Sequence, residues 1–296
     1  MFKVSVIIPV YNAVEFIRAA VESIVNQEHV AEVILVDDGF PANSFDVCKQ
    51  LEKQYDRVKA YQHPNGENRG AGASRNLGIS KSSAPYIAFL DADDYCLPER
   101  FKVTKDRFQN DPTIDGVYEP IGTDYKNEEA RQLFMKWKGL SFEGSQDYVT
   151  YTSTEPSGID FFRSLLHGNH GYPSIIGITV KKELFQSVGF FDTSLRLHQD
   201  TDLIIRMAFE GYFVAGSKTH LVANRVVHAE NRIATLNYRS RYQLMKKLYH
   251  WSLNEALPPD AAILLKKNYN IARIRYLFNS NSTFVKVVYH IINRFQ

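Results

Sequence analysis

The chain has 296 residues, 44% hydrophobic and 23% charged, the composition of an ordinary folded protein with a sizeable core. Lys and Arg total 35 against 33 Asp and Glu, a net charge of +2, which argues against nucleic-acid binding carried by bulk charge. Two cysteines, Cys48 and Cys96, are too few for a disulfide framework and lack metal-site spacing, so a reducing, cytoplasmic setting is expected.

Residues 4–10 (VSVIIPV) are a β-branched run and predict a strand. The apolar opening is shorter than a signal-peptide core and runs straight into a helix pattern. Asn12, with Glu15 three positions on, reads as a capping box for that helix, and Val14, Ile17, Val21, Ile24 and Val25 follow at helical spacing. Residues 32–36 (EVILV) predict a second buried strand ending in Asp37-Asp38-Gly39, 45–55 a helix, and 58–62 a third strand. The glycine-rich segment 65–72 leads into a helix over 73–80, and 86–90 (YIAFL) is a buried strand that ends in Asp91-Ala92-Asp93-Asp94.

Apolar strands alternating with helices predict an α/β fold with a parallel sheet covered on both faces. Ligands of such sheets bind beyond the carboxyl ends of the strands, so the polar ends at 9–12, 37–39 and 91–94 should meet in one crevice. Further on, 126–157 is polar and reads as an insertion or loop region. Residues 159–166 predict a short helix, 174–180 a strand, and 200–210 an amphipathic helix stopped by Gly211. From about 238 the chain reads as helical, broken at Pro258-Pro259. No stretch approaches the roughly 18 uncharged apolar residues of a membrane span.

Three aspartates within four positions repel one another unless a cation or solvent offsets them. As a calcium loop 91–94 fails, because its sixth position is Cys96 and its twelfth Lys102. A phosphatase-type Asp-x-Asp loop fits superficially, but Tyr95 stands where such loops carry Thr or Val. A Mg²⁺ or Mn²⁺ site completed by substrate phosphates fits best. The structural alternative is a strand end with solvated aspartates.

Residues 4–12 (VSVIIPVYN), 36–39 (VDDG), 68–70 (NRG) with 73–79 (ASRNLGI), and 89–94 (FLDADD) occur in order. Together they resemble the family 2 glycosyltransferases over roughly 1–105, and more loosely over 170–230. The resemblance implies a GT-A fold, a Rossmann-like mixed sheet flanked by helices. It divides the chain into a nucleotide-sugar half (1–105) and an acceptor and catalytic half (106–235), and it leaves the last sixty or so residues as a C-terminal helical extension (236–296) that it does not cover. It implies that Pro9 and Tyr11 line the uracil with Val10 beside them, and that Asp38 bonds base or ribose. Arg75 would lie near base or phosphates, Asp91 and Ala92 near the ribose or metal-bound water, and Asp93 on Mn²⁺ or Mg²⁺. Asp94 is expected to bond the turn before the next helix. Phe40 departs from the serine common at that position.

The segments 189–192 (GFFD) and 198–206 (HQDTDLIIR) resemble the family's later motifs, which makes Asp200 the general base. A carboxylate at a helix start is held ionised and can accept the acceptor hydroxyl's proton. Plain N-capping is the alternative for Asp200 and Asp202. Gln199 replaces a common acidic residue. His228 matches a late histidine that reaches the metal or diphosphate, with a structural role as the alternative. His167 and His170 read as loop residues near the acceptor, and Trp137 and Trp251 as aromatics able to stack on sugars or to fill a core. The basic tail at 286–294 suits a membrane surface carrying a lipid-linked acceptor, a packed helix or a homodimer contact.

The reading is therefore a metal-dependent, inverting transferase that moves a sugar from a nucleotide diphosphate sugar, UDP-linked, to a saccharide or lipid-linked saccharide hydroxyl in polysaccharide or glycoconjugate synthesis. The rival is a non-catalytic nucleotide-sugar-binding protein. A nucleotidyltransferase fits less well, for want of a glycine- and lysine-rich triphosphate loop near the first strand.

Overall fold

The computed structural model describes residues 1–39, 44–138, 149–150, 154–168, 171–217, 219–228 and 237–278. The apolar runs near the N-terminus form β1 (Val4–Val10), β2 (Val30–Asp37), β3 (Val58–Gln62) and β4 (Tyr86–Phe89). Between them lie α1 (Ile17–Ile24), α2 (Ser44–Gln54) and α3 (Ala71–Lys81). The pairs β1·β2, β2·β3 and β1·β4 are parallel, as continuous apolar strands joined by helices require.

The second half continues through β5 (Tyr95–Cys96), α4 (Lys102–Asn110), β6 (Gly116–Tyr118), β7 (Gly122–Tyr125), α5 (Glu128–Lys138) and α6 (Gly158–His167). It goes on with β8 (Ile178–Lys181), α7 (Leu184–Val188), α8 (Gln199–Glu210), β9 (Phe213–Ala215) and β10 (Ala223–Val227). A seven-stranded sheet runs in the order β3-β2-β1-β4-β8-β6-β9. It is mixed, because β8 lies antiparallel to both β4 and β6. A three-stranded sheet, β5-β10-β7, stands beside it.

Alternation along the central strands fills two cores. Val4, Val6, Ile8 and Val10 of β1 face α1, α2 and α4 with Ile17, Val21, Leu51 and Phe108. Ile7 turns to the opposite core, shared by Ile79 of α3, Phe161 and Leu165 of α6, and Leu203 and Met207 of α8. The last helices, α9 (Tyr238–Ser252) and α10 (Pro259–Phe278), bury Leu244, Leu248, Leu265 and Ala272 in that same core. The C-terminal helices thus complete the second core rather than hanging from it.

Two local expectations fail. Asn12 does not cap α1: it takes a left-handed φ of 49°, a turn over Ala13–Phe16 follows, and the helix begins only after Phe16. The polar stretch from 126 is not all loop, since α5 begins at Glu128 and buries Ala130, Phe134 and Met135 against Val227. Cys48 and Cys96 are both buried free thiols.

Candidate active site

The carboxyl ends of β1, β2 and β4 lie side by side, so the polar residues that follow them emerge at one edge of the sheet. Pro9 and Val10 are buried within β1, and Tyr11, the first residue beyond it, is exposed. Asp38 follows β2, and its backbone N–H donates to Val10 O at 2.8 Å. Its carboxylate accepts from the backbone N–H groups of Arg69 (2.8 Å) and Gly70 (2.9 Å). Gly70 has φ 88°, a conformation that favours glycine, and it leads directly into α3. Asp38 therefore fixes the loop that launches α3. Asp37 does the same for its own turn, accepting from Gly39 N–H and from Gln62 Nε2. Buried His63 lies 2.9 Å from Ser74 Oγ and 3.7 Å from Asp38 Oδ1.

One turn into α3, buried Arg75 donates to Asp91 Oδ1 at 2.6 Å while its guanidinium lies 5.5 Å from the Phe191 ring centre. Its Nε is buried without a hydrogen-bond partner among the described residues. The adjacent Asn76 bonds Phe191 reciprocally: Nδ2 donates to Phe191 O and Oδ1 accepts Phe191 N–H, both at 2.9 Å. Through these contacts the 73–79 motif holds the 189–192 motif.

Beyond β4 the aspartates separate by role, and Ala92 between them is buried. Asp93 Oδ2 lies 3.1 Å from Nε2 of His228, the residue after β10. The His228 ring stacks on Phe16 at 5.0 Å, and Lys126 Nζ sits 5.2 Å from the same Phe16 ring. Burial, then the charge of Asp91, raises the Asp93 pKa, and the hydrogen bond from His228 opposes them. Asp94 does not bond the turn that follows. Its Oδ1 accepts Val226 N–H at 2.9 Å, so it ties the β4 end to β10, 132 residues away. Burial and the two neighbouring carboxylates push its pKa well above the ordinary range.

Asp200 lies in the first turn of α8, where its Oδ1 accepts Thr201 N–H at 2.8 Å. Gln199 beside it is buried, with Oε1 unpartnered among the described residues and packed so closely on Gly72 that a Cβ there would collide with it. This junction joins the start of α8 to the start of α3. His198 before it adopts a left-handed φ of 63°, and its Nε2 lies 3.3 Å from Ser240 Oγ of α9. Asp202 is no helix cap. Fully buried, it accepts from Arg206 Nη2 at 2.8 Å and from Lys247 Nζ of α9 at 2.7 Å. Lys247 also pairs with Asp192 at 2.8 Å, and Arg206 donates to the carbonyls of Val188 and Phe190. His167 ends α6 and is exposed; His170, Phe40, the tail at 286–294 and the Trp137 side chain lie outside the described residues. Trp251 packs edge-on against Phe209 and Phe162 in the second core.

Residues 5–166 match the sequence profile described as Glycosyl transferase family 2. The chain belongs to that family. A protein from Haemophilus influenzae called an uncharacterized glycosyltransferase is 30% identical over 215 residues, 71% of this chain and 63% of that protein. The Escherichia coli uncharacterized glycosyltransferase YibD is 38% identical over 101 residues, 34% of this chain and 28% of its own. This chain thus spans less than two thirds of either relative. Among solved structures, Staphylococcus aureus TarS 1–349 in complex with UDP-GlcNAc superposes with a TM-score of 0.67 at 16% identity, covering 95% of this chain and 74% of that one. The fold is GT-A.

In this family 2 chain no group of three His, Cys, Asp or Glu side chains able to hold a metal occurs among the described residues. Asp93 and His228 instead offer one carboxylate and one imidazole at the crevice, with a second carboxylate, Asp91, close enough to raise the Asp93 pKa. That set suits a Mn²⁺ or Mg²⁺ ion that takes its remaining ligands from phosphates. Among the described residues no helix is long and apolar enough to cross a membrane. Sequence reasoning missed Phe16, His63 and Lys247. The reciprocal Asn76–Phe191 pair lay inside quoted motifs, but the pairing spans 115 residues and leaves no local signal.

Proposed function

We propose that the protein transfers a sugar from a nucleotide diphosphate sugar, with UDP as the nucleotide, to an acceptor hydroxyl with inversion at the anomeric carbon, in polysaccharide or glycoconjugate synthesis. The single observation that carries this reading is the α3–α8 junction. It brings Gln199, the residue before Asp200, against Gly72, two residues past the Gly70 turn that Asp38 holds after β2. The TarS complexes with UDP and with UDP-GlcNAc support UDP as the donor's nucleotide.

In this reading Asp200 takes the proton of the acceptor hydroxyl as that oxygen bonds to the anomeric carbon. The bond from that carbon to the diphosphate breaks, and its electron pair leaves on the phosphate oxygen. Asp91 orients Arg75 within the crevice, and Phe191 and Asn76 keep the α3 face in register with the second half. Asp93 and His228 would hold the Mn²⁺ or Mg²⁺ ion, which when bound neutralises charge on the departing diphosphate.

Asp200→Asn should lower turnover by roughly 10²–10⁴, the span of a general base, and leave UDP affinity unchanged. Asp93→Ala should remove the part of UDP affinity that depends on Mn²⁺, read by calorimetry. Near-full turnover in the first variant overturns the base assignment, and unchanged Mn²⁺-dependent affinity in the second overturns the metal site. Thermal stabilisation across a panel of nucleotide sugars identifies the donor, since a ligand at 100 times its Kd adds about 2.7 kcal/mol.

A further inference from the structure

The start of α9 brings positive charge to the entrance of α8. Ser240 reaches His198, two residues before Asp200, and the next residue along α9 is Arg241. Its backbone N–H donates to Asn237 O, and its side chain reaches solvent. Among the described residues the Arg241 guanidinium makes no hydrogen bond or ion pair. Antiparallel α10 supplies a second arginine at the same level. Tyr242 stacks on Tyr276 at 5.1 Å and Tyr249 on Tyr269 at 4.9 Å, so Arg241 and Arg275, each one residue before a stacked tyrosine, come abreast. Arg275 Nε is buried without a hydrogen-bond partner among the described residues.

These two groups also bear on the catalytic end of α8. The surrounding protein lowers the Arg241 pKa, with Tyr172 opposing and the like charge of Arg275 adding to the drop. Arg241 and Asp200 act with opposite sign on the His198 ring, and again on the buried Tyr172 phenol, which donates to Thr201 O at 3.0 Å. Asp202, the other acid there, is already matched by Arg206 and Lys247. Two adjacent guanidinium groups with a buried, unsatisfied N–H are costly unless an anion completes them.

We infer that Arg241 and Arg275 form an anion subsite beside Asp200 that seats a phosphate or carboxylate carried by the acceptor. The inference rests on the transferase reading and narrows its acceptor to an anionic one. Two guanidinium forks match the planar oxygens of a carboxylate or the tetrahedral oxygens of a phosphate, and their charge offsets the repulsion between such a group and Asp200.

The test is calorimetry on the full chain. UDP is titrated first; absence of UDP binding counts against the donor reading and leaves the subsite measurable. Inorganic phosphate and, separately, acetate are then titrated into protein already holding UDP. One of the two anions should saturate a single site, and the tighter one names the acceptor's charged group. Arg241→Gln should weaken that binding at least tenfold, as should Arg275→Gln, with UDP affinity unchanged. If Arg275→Gln fails to fold, Arg241→Gln alone decides, because the wild-type guanidinium bonds none of the described residues. No saturable binding of either anion, or wild-type anion affinity in Arg241→Gln, overturns the subsite. So does a loss confined to UDP affinity, which would assign Arg241 to the donor.

Discussion

Gly72 carries the contact between the two halves of the site. It is the second residue of α3, and an added methyl would collide with Gln199 Oε1 and press on Phe191 Cβ at 3.4 Å. Gln199 has little room to yield: it is buried, and its Nε2 already bonds Arg196 O at 3.2 Å. Gly72→Ala should therefore push the start of α8, and Asp200 with it, away from α3. Overpacking of this kind costs about 1–3 kcal/mol, and a displaced catalytic group lowers turnover by up to about 100-fold. Asp38 holds the loop ahead of α3 through the N–H groups of Arg69 and Gly70, bonds that Gly72→Ala does not remove, so UDP affinity should hold. Wild-type turnover in Gly72→Ala, measured beside UDP calorimetry, would mean that Asp200 does not depend on this junction.

At the scale of elements, the central strands and their helices were legible because each signal is local. β1, β2 and β4 are apolar runs, and α1 follows β1 with apolar residues at helical spacing. Their polar ends could be assigned to one edge of the sheet from the strand-end rule alone. The small sheet was not legible, because β5 is two residues long and its partner β10 lies more than a hundred residues on. For the same reason the sequence suggests a turn bond for Asp94 and offers N-capping as the alternative for Asp202; Asp94 instead bonds β10, and Asp202 pairs with Lys247 of α9 as well as with Arg206 of its own helix. Lys247 shows what such partners do. From α9 it bridges Asp192 and buried Asp202, tying the 189–192 segment to the first turns of α8. Lys247→Met should cost roughly 1.5–3 kcal/mol, the loss of a hydrogen bond to a charged group. It should lower turnover while UDP affinity holds, and Lys247→Arg should recover part of both losses. A urea midpoint unchanged from wild type would show that α9 does not brace α8.

For the whole molecule, the same groups set how stability depends on pH. Burial lowers the pKa of His63 and of His198 below the ordinary histidine value of 6.5. Their unfolded forms therefore bind protons first, and stability falls as pH drops below about 6.5. Asp192 acts lower on the scale. Burial alone would raise its pKa, but the bonds from Lys247 and from the Ser194 hydroxyl and N–H outweigh that and bring it from 3.8 to about 2. A depressed carboxyl contributes in full above its unfolded value and loses that contribution as pH falls toward the folded one. For Asp192 the window is about pH 4 to 2, and the amount about 2 kcal/mol. Glu119, raised by burial despite its 2.9 Å pair with Arg100, works in the opposite direction, so the informative quantity is the difference between variants. Urea midpoints taken from pH 7.5 to 2.5 should fall in two stages. His63→Gln should shrink the first stage, and Lys247→Met should shrink the Asp192 share of the second without touching the first. An acid limb of the same size in Lys247→Met and wild type would show that the Lys247–Asp192 bond contributes nothing to holding α9 on the catalytic half.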